Sequence, residues 1–204
     1  MLNNGFEPEF SRQVFEQLDQ IRELTGTALD PSIRNLRDLL WSSIDNRTSR
    51  DLDQVEWAER LPNGDIRVLV GIADVDAMVV KGSPIDDHAE QNTVTVYTET
   101  KVFPMLPEEL STDITSLNEG VDRLAVVADM TVKENGDVPQ STFFRAVVHN
   151  HAKFSYEEIG EWFDSGGEMP EDLQRLPELK GQIELQREAA KRLAAYRRTK
   201  GALE

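Results

Sequence analysis

Two turn signatures constrain this chain most. Pro62-Asn63-Gly64-Asp65 and Asn135-Gly136 each sit between runs of β-branched and apolar residues. Val55-Glu56-Trp57 and Arg67-Val68-Leu69-Val70-Gly71-Ile72-Ala73 flank the first. Leu124-Ala125-Val126-Val127-Ala128-Asp129-Met130 and Ser141-Thr142-Phe143-Phe144-Arg145-Ala146-Val147-Val148 flank the second. Asn-Gly between such runs predicts β-hairpins, because both residues tolerate the left-handed backbone that a tight reversal needs. Val94-Thr95-Val96-Tyr97 is a further strand candidate. Helical spacing brackets this strand-rich middle. Residues 8–25 place Val14, Leu18, Ile21 and Leu24 three and four apart, with Gly26 as a stop. Asp30-Pro31 predicts a short turn or helix start. Ser155-Tyr156-Glu157-Glu158 reads as a capping box opening a helix that Gly166-Gly167 ends. Residues 180–199 predict a long amphipathic helix with Leu179, Ile183, Ala190, Leu193 and Ala194 on its inner side. Strands in the middle and helices at both ends predict an α+β or mixed architecture.

At 204 residues the chain suffices for one sizeable domain, and its 39% hydrophobic and 29% charged content is that of a soluble globular protein. The absence of cysteine excludes disulfides, thiolate metal sites and a cysteine nucleophile, and fits a cytosolic location. The first residues have neither a basic nor an apolar leader segment, so no signal peptide is expected. The longest apolar run, Val68 to Ala73, is too short to span a membrane. A net charge of −16 argues against general affinity for polyanions. It is unevenly spread: of 22 basic and 38 acidic residues, 7 and 3 lie in 180–204, leaving 15 and 35 in the first 179. The last helix is therefore one place to look for a basic channel, although a solvated helix face is the plainer reading.

Ile44-Asp45-Asn46-Arg47-Thr48-Ser49-Arg50-Asp51-Leu52-Asp53-Gln54 sets three aspartates at spacings of six and two. Carboxylates crowded in this way repel one another unless a cation relieves them. A hard ion such as Mg²⁺ prefers such oxygen ligands and is a standard device for cutting phosphodiesters. A calcium-binding EF-hand loop is excluded, because Arg47, Ser49 and Arg50 stand where oxygen ligands and glycine would be needed. The same spacing also suits a surface turn in which Asp45 and Asp51 cap backbone amides. His149-Asn150-His151 places two imidazoles on one face of a strand, but ordinary hydrogen bonding suits them better than a zinc pair, since His88 lies far away in a predicted helix. Phe103-Pro104-Met105-Leu106-Pro107 reads as a rigid connector packed on the core. Tyr97 either joins the core or, if exposed, stacks on a nucleobase. No Walker loop or dinucleotide fingerprint occurs, and three histidines define no Ser-His-Asp set.

The aspartate segment, Ile44-Asp45-x5-Asp51-Leu52-Asp53, resembles the active-site motif of the ribonuclease II family, whose catalytic module is the RNB domain. Further blocks match in the same order. They are Ile72-Ala73-Asp74-Val75, Gly82-Ser83-Pro84-Ile85-Asp86, Val96-Tyr97, Pro104-Met105-Leu106-Pro107-Glu108-Glu109-Leu110-Ser111, Ser116-Leu117-Asn118, Asp122-Arg123-Leu124-Ala125, Lys153-Phe154-Ser155-Tyr156-Glu157-Glu158 and Gly201-Ala202-Leu203. The likeness runs from about residue 30 to the end, which divides the chain into a helical lead-in (1–29) and the N-terminal part of an RNB domain (30–204).

The resemblance implies a mixed, mainly antiparallel sheet or partial barrel with surrounding helices. It implies a cytoplasmic 3′→5′ exoribonuclease that hydrolyses single-stranded RNA to nucleoside 5′-monophosphates, with no DNA or membrane partner expected. It also implies Mg²⁺ or Mn²⁺ held by four acidic positions, of which three fall on Asp45, Asp51 and Asp53. The fourth falls on Gln54, a further expected metal-site residue, whose carbonyl can still ligate Mg²⁺ but brings no charge and cannot serve as a base. Tyr97 matches an aromatic used against RNA. Asp74-Val75-Asp76-Ala77 departs from the family's usual Asp-Val-Ser-His, so Asp76 and Ala77 receive no role. The likeness stops about halfway through the family's catalytic domain, from which two expectations follow. The 204 residues alone are expected to be inactive, and their strands are expected to leave open edges. The rival is a non-catalytic RNA-binding or regulatory protein on the same scaffold, prompted by Gln54 and the acidic surface. A Mg²⁺ phosphohydrolase acting on small phosphoesters ranks third.

Overall fold

A computed structural model describes residues 5–24, 30–164 and 166–202. The first helix, α1 (Arg12–Leu24), begins four residues later than its periodicity predicts; the stop expected at Gly26 lies outside the described residues. Val14, Leu18 and Ile21 bury one face of α1 against Val79, Ile85 and Leu110. Asp30 opens a turn rather than a helix: its carboxylate accepts the Ser32 amide at 2.8 Å.

The two strands leading into the aspartate segment, β1 (Arg34–Asn35) and β2 (Trp41–Asp45), are not legible in the sequence. Both hairpins form where the turn signatures stand. The first joins β3 (Gln54–Arg60) to β4 (Ile66–Ala73), with Gly64 at φ 87° and Leu61 N–H donating to Asp65 O at 2.8 Å. A 3₁₀ turn (Val75–Ala77) and helix α2 (Pro84–Asn92) follow, then a small separate hairpin of β5 (Val96–Tyr97) and β6 (Val102–Phe103). A π-helical turn (Leu110–Ile114) leads to the second long hairpin, β7 (Asp122–Val132) with β8 (Ser141–Ser155). The capping box is present: Ser155 Oγ accepts the Glu158 amide, and Glu158 Oε2 accepts the Ser155 amide, at 3.2 and 3.0 Å. It opens α3 (Tyr156–Asp164), which is followed by α4 (Glu171–Arg175) and α5 (Pro177–Thr199).

The sheet order is β1-β8-β2-β3-β4-β7, and β7 also pairs with β8. The expectation of open strand edges is met only in part: among the described residues the main sheet closes on itself, but the β5–β6 hairpin stands apart and one stretch of β3 lacks a strand partner on its β2 side. Closure is possible because β8 has 15 residues. One edge runs antiparallel along β7, while the other takes β1 and then β2 in parallel. Beyond Glu56 the β2 edge of β3 has no strand partner, and α5 stands in for one. Gln182 Oε1 accepts the Ala58 amide at 2.8 Å, and Gln186 donates to Glu56 O at 3.2 Å.

Trp41, Leu52, Val55, Leu69, Ala125 and Val148 fill the interior of the ring. Outside it, α5 covers Ala58, Ile66, Val68 and Val132, while α3 and α4 cover Ala152 and Phe154. The inner stripe of α5 is Leu179, Ile183, Gln186 and Ala189, with Leu193 half-buried; Ala190 and Ala194, expected inside, are exposed. The stripe is displaced because α5 serves the β3 edge through Gln186.

Gly136 combines a left-handed backbone (φ 82°) with close approach to α5: a Cβ there would collide with Arg192 O. Gly120 has a similar φ of 76° and open space around it. In urea melts Gly120→Ala is expected to cost about 1–2 kcal/mol for backbone strain alone. Gly136→Ala is expected to cost roughly 1–3 kcal/mol more, from overpacking against α5.

Candidate active site

The aspartate segment joins β2 to β3, antiparallel neighbours, so Asp45 at the end of one and Asp53 immediately before the other lie at the same end of the sheet. Asp45 Oδ1 accepts the Asn46 amide at 2.7 Å and the Ser49 hydroxyl at 2.8 Å, while Ser49 N–H donates to Asn46 O at 3.1 Å. The surface-turn reading thus holds at Asp45 and does not extend to Asp51.

Leu52 is the fixed point of the returning chain. Its side chain is buried within the ring, its N–H donates to Ser116 Oγ at 2.9 Å, and its carbonyl accepts the Leu117 amide at 2.8 Å. Ser116 Oγ also lies 2.9 Å from Arg50 O, and Lys153 Nζ donates to the carbonyls of Arg47 and Ser49. With Leu52 turned inward, Asp51 and Asp53 on either side of it are exposed. Neither carboxylate has a hydrogen bond or ion pair with any described residue, whereas the neighbouring Arg50 sits 3.6 Å from Glu108.

Asp51 and Tyr97 share a cleft of about 370 Å³, walled by Thr48, Pro104, Met105 and Thr112. Tyr97 is 70% exposed, so the core reading of this tyrosine is set aside. Of the expected connector, Phe103 belongs instead to β6, while residues 104–107 link it onward, with Pro107 buried, and form one wall of the cleft.

Gln54 lies elsewhere. Strand alternation turns it away from Val55 and the ring interior, onto the helix-covered face. There its amide donates to Glu56 Oε1 at 3.3 Å, and both line a second cavity with Ile44, Tyr156, Phe163 and Gln186. Burial pushes the Glu56 carboxyl above the usual carboxylate range. The fold therefore brings Asp51 and Tyr97 together, sets Asp45 and Asp53 at the same end of the sheet, and directs Gln54 to the opposite face.

Among the described residues no three carboxylates or imidazoles converge as a cation-holding group. In donor chemistry the segment still fits a hard cation, because it is all oxygen and two of its carboxylates are unpartnered. His149 and His151 take ordinary partners, with His149 Nδ1 2.8 Å from Asp122 and His151 Nε2 3.3 Å from Arg37 O. No helix among the described residues is long and apolar enough to cross a membrane. Ser116, which the resemblance marks only as part of a matching block, anchors the segment. Its hydroxyl meets Leu52 across 64 residues of chain, and nothing local marks that contact.

The family model of the RNB domain matches residues 33–204. The chain belongs to the RNB domain family. It is 39% identical over 125 residues to Ribonuclease R of Escherichia coli strain K12, covering 61% of this chain and 15% of that protein. Against Ribonuclease R of Thermotoga maritima the identity is 33% over 201 residues, covering 96% of this chain and 27% of that protein. The fold matches Mycoplasma genitalium RNase R, solved in complex with ribose methylated single-stranded RNA, at a TM-score of 0.83 and 25% identity. That match covers 100% of this chain and 31% of the other. The RNB chain thus spans less than a third of each of these three proteins. The mixed, mainly antiparallel α+β architecture implied by the resemblance is the one observed.

Ser116→Ala in the RNB chain is expected to leave the buried Leu52 amide without an acceptor and to cost about 1–3 kcal/mol in urea unfolding. Hydrogen exchange at the Leu52 amide is the matching local readout, and it should speed up.

Proposed function

We propose that the protein carrying this RNB chain is a cytoplasmic 3′→5′ exoribonuclease that hydrolyses single-stranded RNA to nucleoside 5′-monophosphates. Asp45, Asp51 and Asp53 would direct Mg²⁺ (or Mn²⁺), and Tyr97 would serve as a platform for a base. The observation that carries this reading is the shared cleft, in which an unpartnered carboxylate and an exposed aromatic face border the same space. It is supported by the RNB family membership and by relatives named for ribonuclease activity.

The chemistry asks little of covalent catalysis. Water attacks the last phosphodiester, the bond to the preceding 3′-oxygen breaks, and a 5′-mononucleotide leaves. Stacking on Tyr97 would orient the terminal region of the strand, because every base offers a π-face. Asp51 and Asp53, with no partners of their own, are the carboxylates free to hold a cation, while Asp45 fixes the turn that presents them. A bound Mg²⁺ would supply an activated water and neutralise charge on the departing oxygen. An acidic chain with net charge −16 also needs a cation before a phosphate can approach its carboxylates.

One observation favours the rival reading, a non-catalytic RNA-binding protein on the same scaffold. Gln54, at the fourth position of the motif, is neutral and is directed toward Glu56 rather than the cleft. The two readings separate in the full-length protein on single-stranded RNA with Mg²⁺. Asp53→Asn is expected to lower mononucleotide release on the order of 10²-fold or more; activity within a few-fold of the parent would sink the metal assignment. Gln54→Asp, at a side chain that faces Glu56 rather than the cleft, is expected to leave the Mg²⁺ concentration needed for half-maximal release unchanged. RNA binding with no mononucleotide release at any Mg²⁺ or Mn²⁺ concentration would instead establish the rival.

A further inference from the structure

The hairpin that carries Tyr97 is too small to hold its own position. Its strands β5 and β6 have two residues each and belong to a sheet of their own, apart from the ring. A lone two-stranded ribbon is marginal in water even when longer than this. Its register pairs Val96 with Phe103 and Tyr97 with Val102. Directly opposed residues share a face, and successive residues alternate between faces. Tyr97 and Val102 accordingly line the cleft, and Phe103 faces the other way.

What covers that back face is the segment ahead of α1. The Phe6 ring meets Phe103 edge to face, with centroids 6.2 Å apart and planes at 87°. Glu9 accepts from Lys101 Nζ at 2.8 Å, and the same ammonium lies 4.9 Å from the Phe103 ring centroid. The segment is itself anchored to α2. The buried Asn92 amide bonds both the N–H and the carbonyl of Glu7, each at 2.8 Å. Gln91 donates to Gly5 O, and the Phe10 ring lies 4.3 Å from that of His88. An anchored strand of chain therefore joins the rigid α1–α2 layer to the back of a weak hairpin whose front face presents Tyr97.

We propose that residues 5–10 form a strap that positions the Tyr97 hairpin for RNA, with Phe6 and Glu9 as positioning residues. This rests on the reading of Tyr97 as a base platform given under Proposed function. The strap touches no RNA. It holds the hairpin at the angle at which Tyr97 faces the cleft, so its loss weakens RNA capture through Tyr97 and by no other route.

The test is a double-mutant cycle on the full-length protein. Affinity for a 5′-fluorescein single-stranded oligoadenylate is read by anisotropy in EDTA, where hydrolysis is off, and thermal melts are run alongside. Tyr97→Ala is expected to weaken binding about ten-fold, the scale of one lost stacking contact. Phe6→Ala is expected to weaken it several-fold in the parent and to add no further loss in the Tyr97→Ala background. If Phe6→Ala fails to fold, Glu9→Lys replaces it in the cycle, with Lys101→Glu as the second-site change that restores binding. Additive losses, or no loss from either strap variant while Tyr97→Ala still weakens binding, would overturn the strap and leave the Tyr97 platform intact. An unchanged affinity in Tyr97→Ala would overturn the platform and the strap together.

Discussion

The two-sided pairing of β8 is the constraint on which the rest of this structure depends. One edge of the strand holds β7 and the other holds β1 and β2, which turns a twisted sheet into a closed ring. Closure removes the long free edges that would otherwise recruit other chains. It also sets the two ends of the aspartate segment. Asp45 pairs in register with Ser155 on β8, and Gln54 pairs with Ile72 on β4. The candidate site is thus a short loop pinned between strands whose positions are fixed by the whole ring. Leu52 and Ser116 provide the last anchor, tying the middle of the loop to the core.

Carboxylates in this chain divide into two populations. Asp129 and Glu59 share Arg67, Asp74 is buried against Arg145, and Glu188 is held below the usual carboxylate range by Arg60. Exposed pairs of this sort contribute little stability individually, but they quench local charge. Asp51 and Asp53 are left outside that neutralisation, although arginines at 47 and 50 stand close in sequence. Those arginines pair instead with Glu158 and Glu108.

Both long hairpins, the α3 capping box, α1 and α5 could be read from the sequence, because each is announced by a local signal: a glycine turn, a Ser-x-x-Glu cap or an apolar period. β1 and β2 could not. Their partner strand lies more than a hundred residues on, and Leu39-Leu40-Trp41 by itself suits helix or strand equally. The α5 stripe was misplaced by one position for a similar reason: periodicity favours apolar residues, whereas Gln186 is buried to satisfy a β3 carbonyl. At the site the motif gave the residues but not their facing. Whether Gln54 looks toward the aspartates or toward α5 depends on the pleat of β3, and residue identity carries no sign of that. The strap across α2 was hidden too, since Phe6, Glu9 and Asn92 are individually unremarkable.

The parallel pairing of β2 with β8 has a consequence for how the chain is made. Residues 41–45 are synthesised long before residues 150–155, their partners on one side. Until β8 emerges, β2 has only its single registered contact with β3, at Ser42 and Glu56. Pairings this distant along the chain are slow to form, because a large loop must close before any contact rewards it. The β3–β4 hairpin and α1 can assemble early, whereas the loop bearing the aspartates acquires a fixed shape only as the ring shuts. In a nascent chain, the site would be among the last parts of the molecule to exist.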